Sequence, residues 1–316
     1  GAQFKEGSEY AGYFSSKGKA GSLIGNLPKL DQGFLFAMAM DTSAPAIKTA
    51  LKKMVEASKA GPEAANMFAG LNPLESVESM DGMAFCMGQT PALMGGLFLN
   101  TTMYVKSQNP AAYTKFMKDA MSSLNGKTVQ GMTYQTTYEA GGAKVAEKPV
   151  DAWSMKFQMD QNNPAAAQIG QVQMMLFGPG GMGGYASQID SGVVVTYAKN
   201  SELMGKALEA AKSGGGLNSD AGMKEVQAQL PADRCFEAQI GVKSIMETAI
   251  GFMGMMGGGP TNFNVPQDLP PIGMGATGAS GGLRMTMFMP AKVMQTFKAL
   301  GDSMNADGGE GGGGEK

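Results

Sequence analysis

A chain of 316 residues with no histidine, 29 methionines and 47 glycines is long enough to build one large core without a disulfide or metal to staple it. Its net charge of −2, and a basic complement of 25 in which only Arg234 and Arg284 are arginine, exclude the electrostatic footprint of a nucleic-acid binder. The longest nearly unbroken apolar run, Ala249 to Met256, contains Gly251 and Gly254 and is well short of the ~20 residues that span a bilayer.

In chain order, residues 1–16 read as an N-terminal extension. The start at Gly1-Ala2 suits an exported protein cut after a small residue, or a trimmed chain. The first strand signal is "FLFAMAMD", with Phe34, Phe36, Met38 and Met40 on one side and Leu35, Ala37, Ala39 and Asp41 on the other. "MAFCMG" repeats it, Met83, Phe85 and Met87 opposing Ala84 and Cys86. In both runs the bulky side is expected to face the core. "NPAAYTKFMKDAMSSL" follows with a helical period through Tyr113, Phe116, Met117, Ala120, Met121 and Leu124. Asn-Pro pairs at 72–73, 109–110 and 163–164 mark helix starts, asparagine capping and proline at the first helical position. Glu75 suggests a capping box with Asn72.

The stretch from Gly126 to Asp160 reads as two or three strands turned at Gly141-Gly142, the last with Trp153, Met155, Phe157 and Met159 on its inner face. "SELMGKALEAA" is a further amphipathic helix. In "CFEAQIGV", Phe236, Ala238, Ile240 and Val242 are expected to face in, leaving Cys235, Glu237 and Gln239 on the wetter side. "GLRMTMFMPAKVMQTFKAL" closes the fold as a strand, turned from its predecessor near Ser280 to Gly282, and a helix. A strand followed by a helix thus recurs six times, at 34–59, 97–124, 154–177, 192–212, 235–256 and 284–300. The expected fold class is α+β: a mostly antiparallel twisted sheet with helices covering one face, built from repeated strand–helix units. One domain over 17–306, with lobes 17–160 and 185–306, would precede a flexible glycine-rich tail at 307–316.

The absence of histidine removes Ser-His-Asp and Cys-His nucleophile systems and most zinc sites. "GPGGMG" (178–183) and "GMGATG" (273–278) fit G-x-G-x-x-G but follow a helix and open a hairpin, the wrong context for a dinucleotide. "GKT" (126–128) lacks the earlier glycine of a P-loop. Asp41, Asp160, Asp233 and Glu237 at strand ends are the acid and base candidates for a carboxylate-based hydrolase. Met285, Met287 and Met289 share one strand face and are the candidate ligands for Cu(I) or another soft ion. The commoner use of such residues is as adaptable core filler, because methionine replaces leucine throughout the chain, and these side chains are expected to face inward. Cys86 and Cys235 are two buried thiols, or a disulfide if the compartment is oxidising.

Residues 217–249, "LNSDAGMKEVQAQLPADRCFEAQIGVKSIMETA", resemble a domain of unknown function found in secreted or envelope proteins of planctomycete-type bacteria. Leu230-Pro231, Asp233 and the strand from Cys235 match its helix, Leu-Pro, acidic turn, strand, helix unit, as do Leu27-Pro28, Asp31 and the strand from Phe34. The hairpin and helix from Leu269 to Phe297 are similar to its closing unit, and the resemblance runs from about Gly21 onward. It implies an extracytoplasmic protein (periplasm, cell surface or secreted, with the signal peptide removed) and no catalytic residue. The expected function is therefore a structural or binding role in the cell envelope, non-enzymatic, with no cofactor and with a ligand or surface partner of unknown kind. A methionine-rich Cu(I) protein is the alternative, and a carboxylate-based hydrolase the third.

Overall fold

The computed structural model describes residues 2–8, 11–12, 16–58, 71–90, 96–129, 131–159, 166–255, 263–279 and 281–308. A two-residue strand β1 (Ala2–Gln3) and a short helix α1 (Ala20–Ile24) come first. Then follow β2 (Phe34–Asp41), α2 (Pro45–Ser58), α3 (Pro73–Ser79), β3 (Met80–Gly88), β4 (Thr101–Ser107) and α4 (Pro110–Leu124). A hairpin of β5 (Thr128–Val129) and β6 (Met132–Val145) leads into β7 (Lys148–Met159), α5 (Ala166–Phe177), β8 (Met182–Ile189), β9 (Gly192–Thr196) and α6 (Ser201–Ser213). After α7 (Ala221–Gln227) come β10 (Phe236–Ile240), α8 (Val242–Met255), β11 (Ile272–Ala279), β12 (Gly282–Phe288) and α9 (Ala291–Gly308).

All twelve strands among the described residues lie in one sheet of order β1-β12-β11-β10-β2-β3-β4-β9-β8-β7-β6-β5, paired antiparallel. The chain is an α+β protein with an antiparallel sheet. The six strand–helix units combine in pairs into three modules of one plan: strand, helical crossover, antiparallel hairpin, helix. These are β2 to α4, β7 to α6 and β10 to α9. Modules join like to like. The first strands β10 and β2 pair, with Ala238 opposite Met38, and the third strands β4 and β9 pair, with Met103 opposite Val195. The sheet therefore runs unbroken across the two suggested lobes. Residues 2–3 of the expected extension belong to it, and α9 reaches Gly308. No helix among the described residues is long and apolar enough to cross a membrane.

Helices lie on both faces. β9 is buried along its whole length because Val194 packs with Met204 and Ala207 of α6, while Val193 and Val195 pack with Tyr113, Met117 and Met121 of α4. In β2 and β3 the fully buried side is the small one: Ala37, Ala39, Ala84 and Cys86 are sealed beneath Leu23 and Ile24 of α1, and the Phe and Met side is half-buried. This reverses the expected orientation. A helix can approach a sheet closely only over small side chains; at Gly82 an added Cβ would sit 2.6 Å from Leu23 Cδ1. β7 follows expectation, with Trp153 and Met155 buried and Lys156 and Gln158 exposed.

The β6–β7 turn lies at Ala146-Glu147, both at positive φ (47° and 63°), between the paired Val145 and Lys148, and not at Gly141-Gly142. The two glycines instead occupy an irregularity between Glu139 and Ala143, with Gly141 at φ 64°. A two-residue link with positive φ at both positions matches the strands' twist, and a glycine bulge upstream absorbs the change of register. The β11–β12 link has Ala279 opposite Gly282 and Gly281 at φ 73°; Ser280 lies outside the described residues. Asn109 caps α4 through Ala112 N (3.2 Å), whereas Asn72 makes no side-chain cap, so the box with Glu75 does not form. The Asn-Pro at 163–164 lies outside the described residues.

Candidate functional site

The candidate thioether row divides. Met285 and Met287 on β12 are each 64% exposed, while Met289, just past the strand, packs against the cluster of Val242, Met246, Leu269, Ile272 and Val293. The inward placement expected for the row is corrected for the first two. β12 is the last full strand at its end of the sheet, and α9 turns its buried Val293 into the cluster at the foot of β10 and β11. Met294 of α9 is likewise 55% exposed. Methionine does fill the core elsewhere, at Met204, Met223 and Met246. Sequence spacing missed Met274, which the β11 register sets directly opposite Met287, with Ala276 opposite Met285. Met274, Met285 and Met287 therefore share one face, half-buried at Met274 and open at the other two.

Exposed large apolar side chains concentrate in the third module: Ile245 and Phe252 on α8, Met285 and Met287 on β12, Met294, Phe297 and Met304 on α9. In the first two modules only Met54 of α2 and Val172, Met174 and Met175 of α5 are comparable among the described residues. Single exposed apolar side chains need no explanation, whereas a group of them is what a contact surface presents.

Three of the four carboxylate candidates sit in hydrogen-bond or ion-pair networks. Asp41 and Asp233 meet at the edge of a cleft of about 430 Å³ lined also by Lys17, Lys19, Asp81 and Lys106. Asp41 accepts from the backbone amides of Lys19 (2.7 Å) and Ser43 (3.0 Å) and from Ser43 Oγ (2.6 Å). Asp233 pairs with Lys17 (2.9 Å) and accepts from Thr277 Oγ1 (3.0 Å), and the lysine and threonine hold its carboxyl below the ordinary value. Burial would raise Asp81, but Lys48 and Gln108, each at 2.9 Å, outweigh it and hold it low as well. Held ionised by these partners, Asp233 and Asp81 are poor general acids and poor general bases near neutral pH. Asp41 and Asp233 pin residues 17–19 across the strand ends, where an added Cβ at Gly18 would lie 2.9 Å from Cys235 Cα. Asp160 lies outside the described residues.

Glu237, expected on the wetter side, is 0% exposed, as is Gln239. Glu237 Oε2 accepts from Arg234 Nε, and Oε1 accepts from Gln227 Nε2 (2.9 Å) and Gln239 Nε2 (2.8 Å). Arg234 Nη1 also donates to Pro231 O (2.8 Å), and Gln227 Nε2 donates to Asn218 Oδ1 (2.9 Å), whose amide donates to Gly21 O (3.1 Å). This buried network ties β10 to α7 and to α1. A sequence signal existed: one of only two arginines lies three residues before the only acid in β10.

Cys86 and Cys235 are free thiols, not a disulfide. Cys86 lies opposite Ala37 on one side of β2, and Cys235 lies at the level of Asp41 on the other. Four residues along and two strands across is about 13 Å by about 10 Å, beyond the ~7 Å that a disulfide bridges. Burial pushes the Cys86 thiol up to about 12, and burial foremost also raises Cys235. A thiol titration with an aromatic disulfide reagent at pH 8 should accordingly show no fast-reacting thiol in the native protein and two after denaturation without reductant. Zero after denaturation would mean that they pair.

The segment 178–183 links α5 to β8, with Gly178 and Gly181 at φ 69° and 75°, and 273–278 lies inside β11. Neither glycine pattern opens a helix, so neither can seat a pyrophosphate on helix amides. Comparison with family models, curated proteins and solved structures returned no match to the chain.

Proposed function

We propose that this is a non-enzymatic, extracytoplasmic protein with a structural role in the cell envelope, and that its third module is the part that adheres. One observation carries the reading: the large apolar side chains left in water gather on α8, β12 and α9, while the carboxylates at the strand ends are committed to holding the chain together. The resemblance of residues 217–249 and 269–297 to envelope proteins supports the location. Exposed apolar groups add little to stability, so a variant with Phe252, Met294 and Phe297 changed to Ser should keep its circular dichroism and unfolding midpoint yet leave the envelope fraction on cell fractionation. Equal retention of variant and wild type, or a wild type found with the cytosolic proteins, overturns the proposal.

A second reading, soft-metal binding, is favoured by the cross-strand pair Met274–Met287 with Met285 beside it. Thioethers suit Cu(I). Native mass spectrometry after anaerobic Cu(I) addition should then show one ion bound to the wild type and none to Met287→Leu; no bound ion in the wild type ends this reading.

A further inference from the structure

Two sheet ends are finished differently. At one, β6 is covered by the end of α4 and by β5: Gly126 N donates to Tyr134 O (2.7 Å), Tyr134 N to Lys127 O (2.9 Å), and Thr136 N to Asn125 Oδ1 (3.0 Å). At the other, β1 covers only Leu283 and Gly282, and no described residue pairs with the outer edge of β12 from Arg284 to Phe288. An uncovered strand edge is a template for another strand unless charge, proline or a bulge blocks it. Here the segment is Arg284-Met285-Thr286-Met287-Phe288, with one charge and no proline.

The modules themselves indicate what an unpaired third strand accepts. β4 and β9, the third strands of the first two modules, pair with each other antiparallel over five residues. β12 is the third strand of the remaining module, and among the described residues no further third strand is left to receive it. We infer that β12 pairs antiparallel with β12 of a second copy, centred on Thr286, to give an isologous dimer with one continuous sheet. This rests on the reading of the third module as adhesive and names its partner.

The sequence is self-complementary in that register. Thr286 faces Thr286 of the other copy, a favourable cross-strand pair. Met285 faces Met287, so the two exposed thioethers of each copy cover those of the other and leave water. Arg284 faces Phe288, which keeps the only charge of the strand off its own symmetry mate and sets a guanidinium beside an aromatic ring. A shift by one residue would break this matching and turn the methionines of the two copies to opposite faces. Symmetric closure also uses up the edge, so the contact stops at two copies.

The test is the mass of the full chain in solution, by sedimentation equilibrium over about a hundredfold range of concentration. The wild type should approach twice the monomer mass. Met285→Lys/Met287→Lys sets lysine against lysine in the dimer and should stay monomeric, while Met285→Lys/Met287→Glu sets lysine against glutamate and should dimerise again, less at high salt. Both variants change exposed residues, and circular dichroism checks that they fold. A monomeric wild type, a dimer that survives the double lysine change, or a charge-swapped variant that stays monomeric would each overturn the inference. Envelope retention of a monomeric wild type would leave the proposed function standing while rejecting the dimer, so the two fail separately.

Discussion

Replacing Glu237 by Gln lowers the unfolding free energy by about 3–5 kcal/mol, because it leaves the Arg234 guanidinium buried without its counter-charge. Arg234 is 6% exposed and Glu237 0%, so neither charge can turn to water. Arg234→Leu should cost a similar amount by stranding the carboxylate, whereas the paired Arg234→Leu/Glu237→Leu should recover part of the loss, since an apolar pair carries no desolvation cost. Denaturant unfolding of the three variants measures this as a double-mutant cycle. The site tolerates no filling: an added Cβ at Gly21 would sit 2.3 Å from Arg234 Nη2. Single variants within about 1 kcal/mol of the wild type would mean that the network does not hold α1 and α7 to the sheet.

Met204→Ala should cost about 2–5 kcal/mol, and Met285→Ala less than about 0.5 kcal/mol, when the monomer is unfolded by denaturant. Met204 is 0% exposed between α6 and the sheet, where truncation leaves a cavity that its neighbours cannot fill. Met285, at 64% exposed, has water to replace it. The comparison separates two uses of one residue type in one chain, filler in the core and contact surface at the edge. Equal costs at both positions would mean that Met285 is covered.

The strand-then-helix succession was legible because it is written locally: alternation at 34–41 and 83–87, a 3.6-residue period at 110–124 and 201–211, and Asn109 with Pro110 at a helix start. The pairing of six units into three modules was not, since it depends on which strand a crossover returns to. The exposed thioethers were misplaced for a related reason. Methionine at every second residue from 285 to 289 looks the same whether a helix covers that face or the sheet ends beside it. Glu237 misled in the opposite sense, for an acid in an alternating strand reads as solvent-facing until its partners Gln227, Arg234 and Gln239 are assembled.

By itself the sequence determined which residues share a face, where helices begin, and that these residues supply no histidine, because each of these is a property of residue types and their spacing. Only the tertiary structure decided which face lies deepest, where the carboxylates spend their charge, and which strand is left at an edge. Those depend on what a distant part of the chain brings against each face, and a period of two carries no record of that.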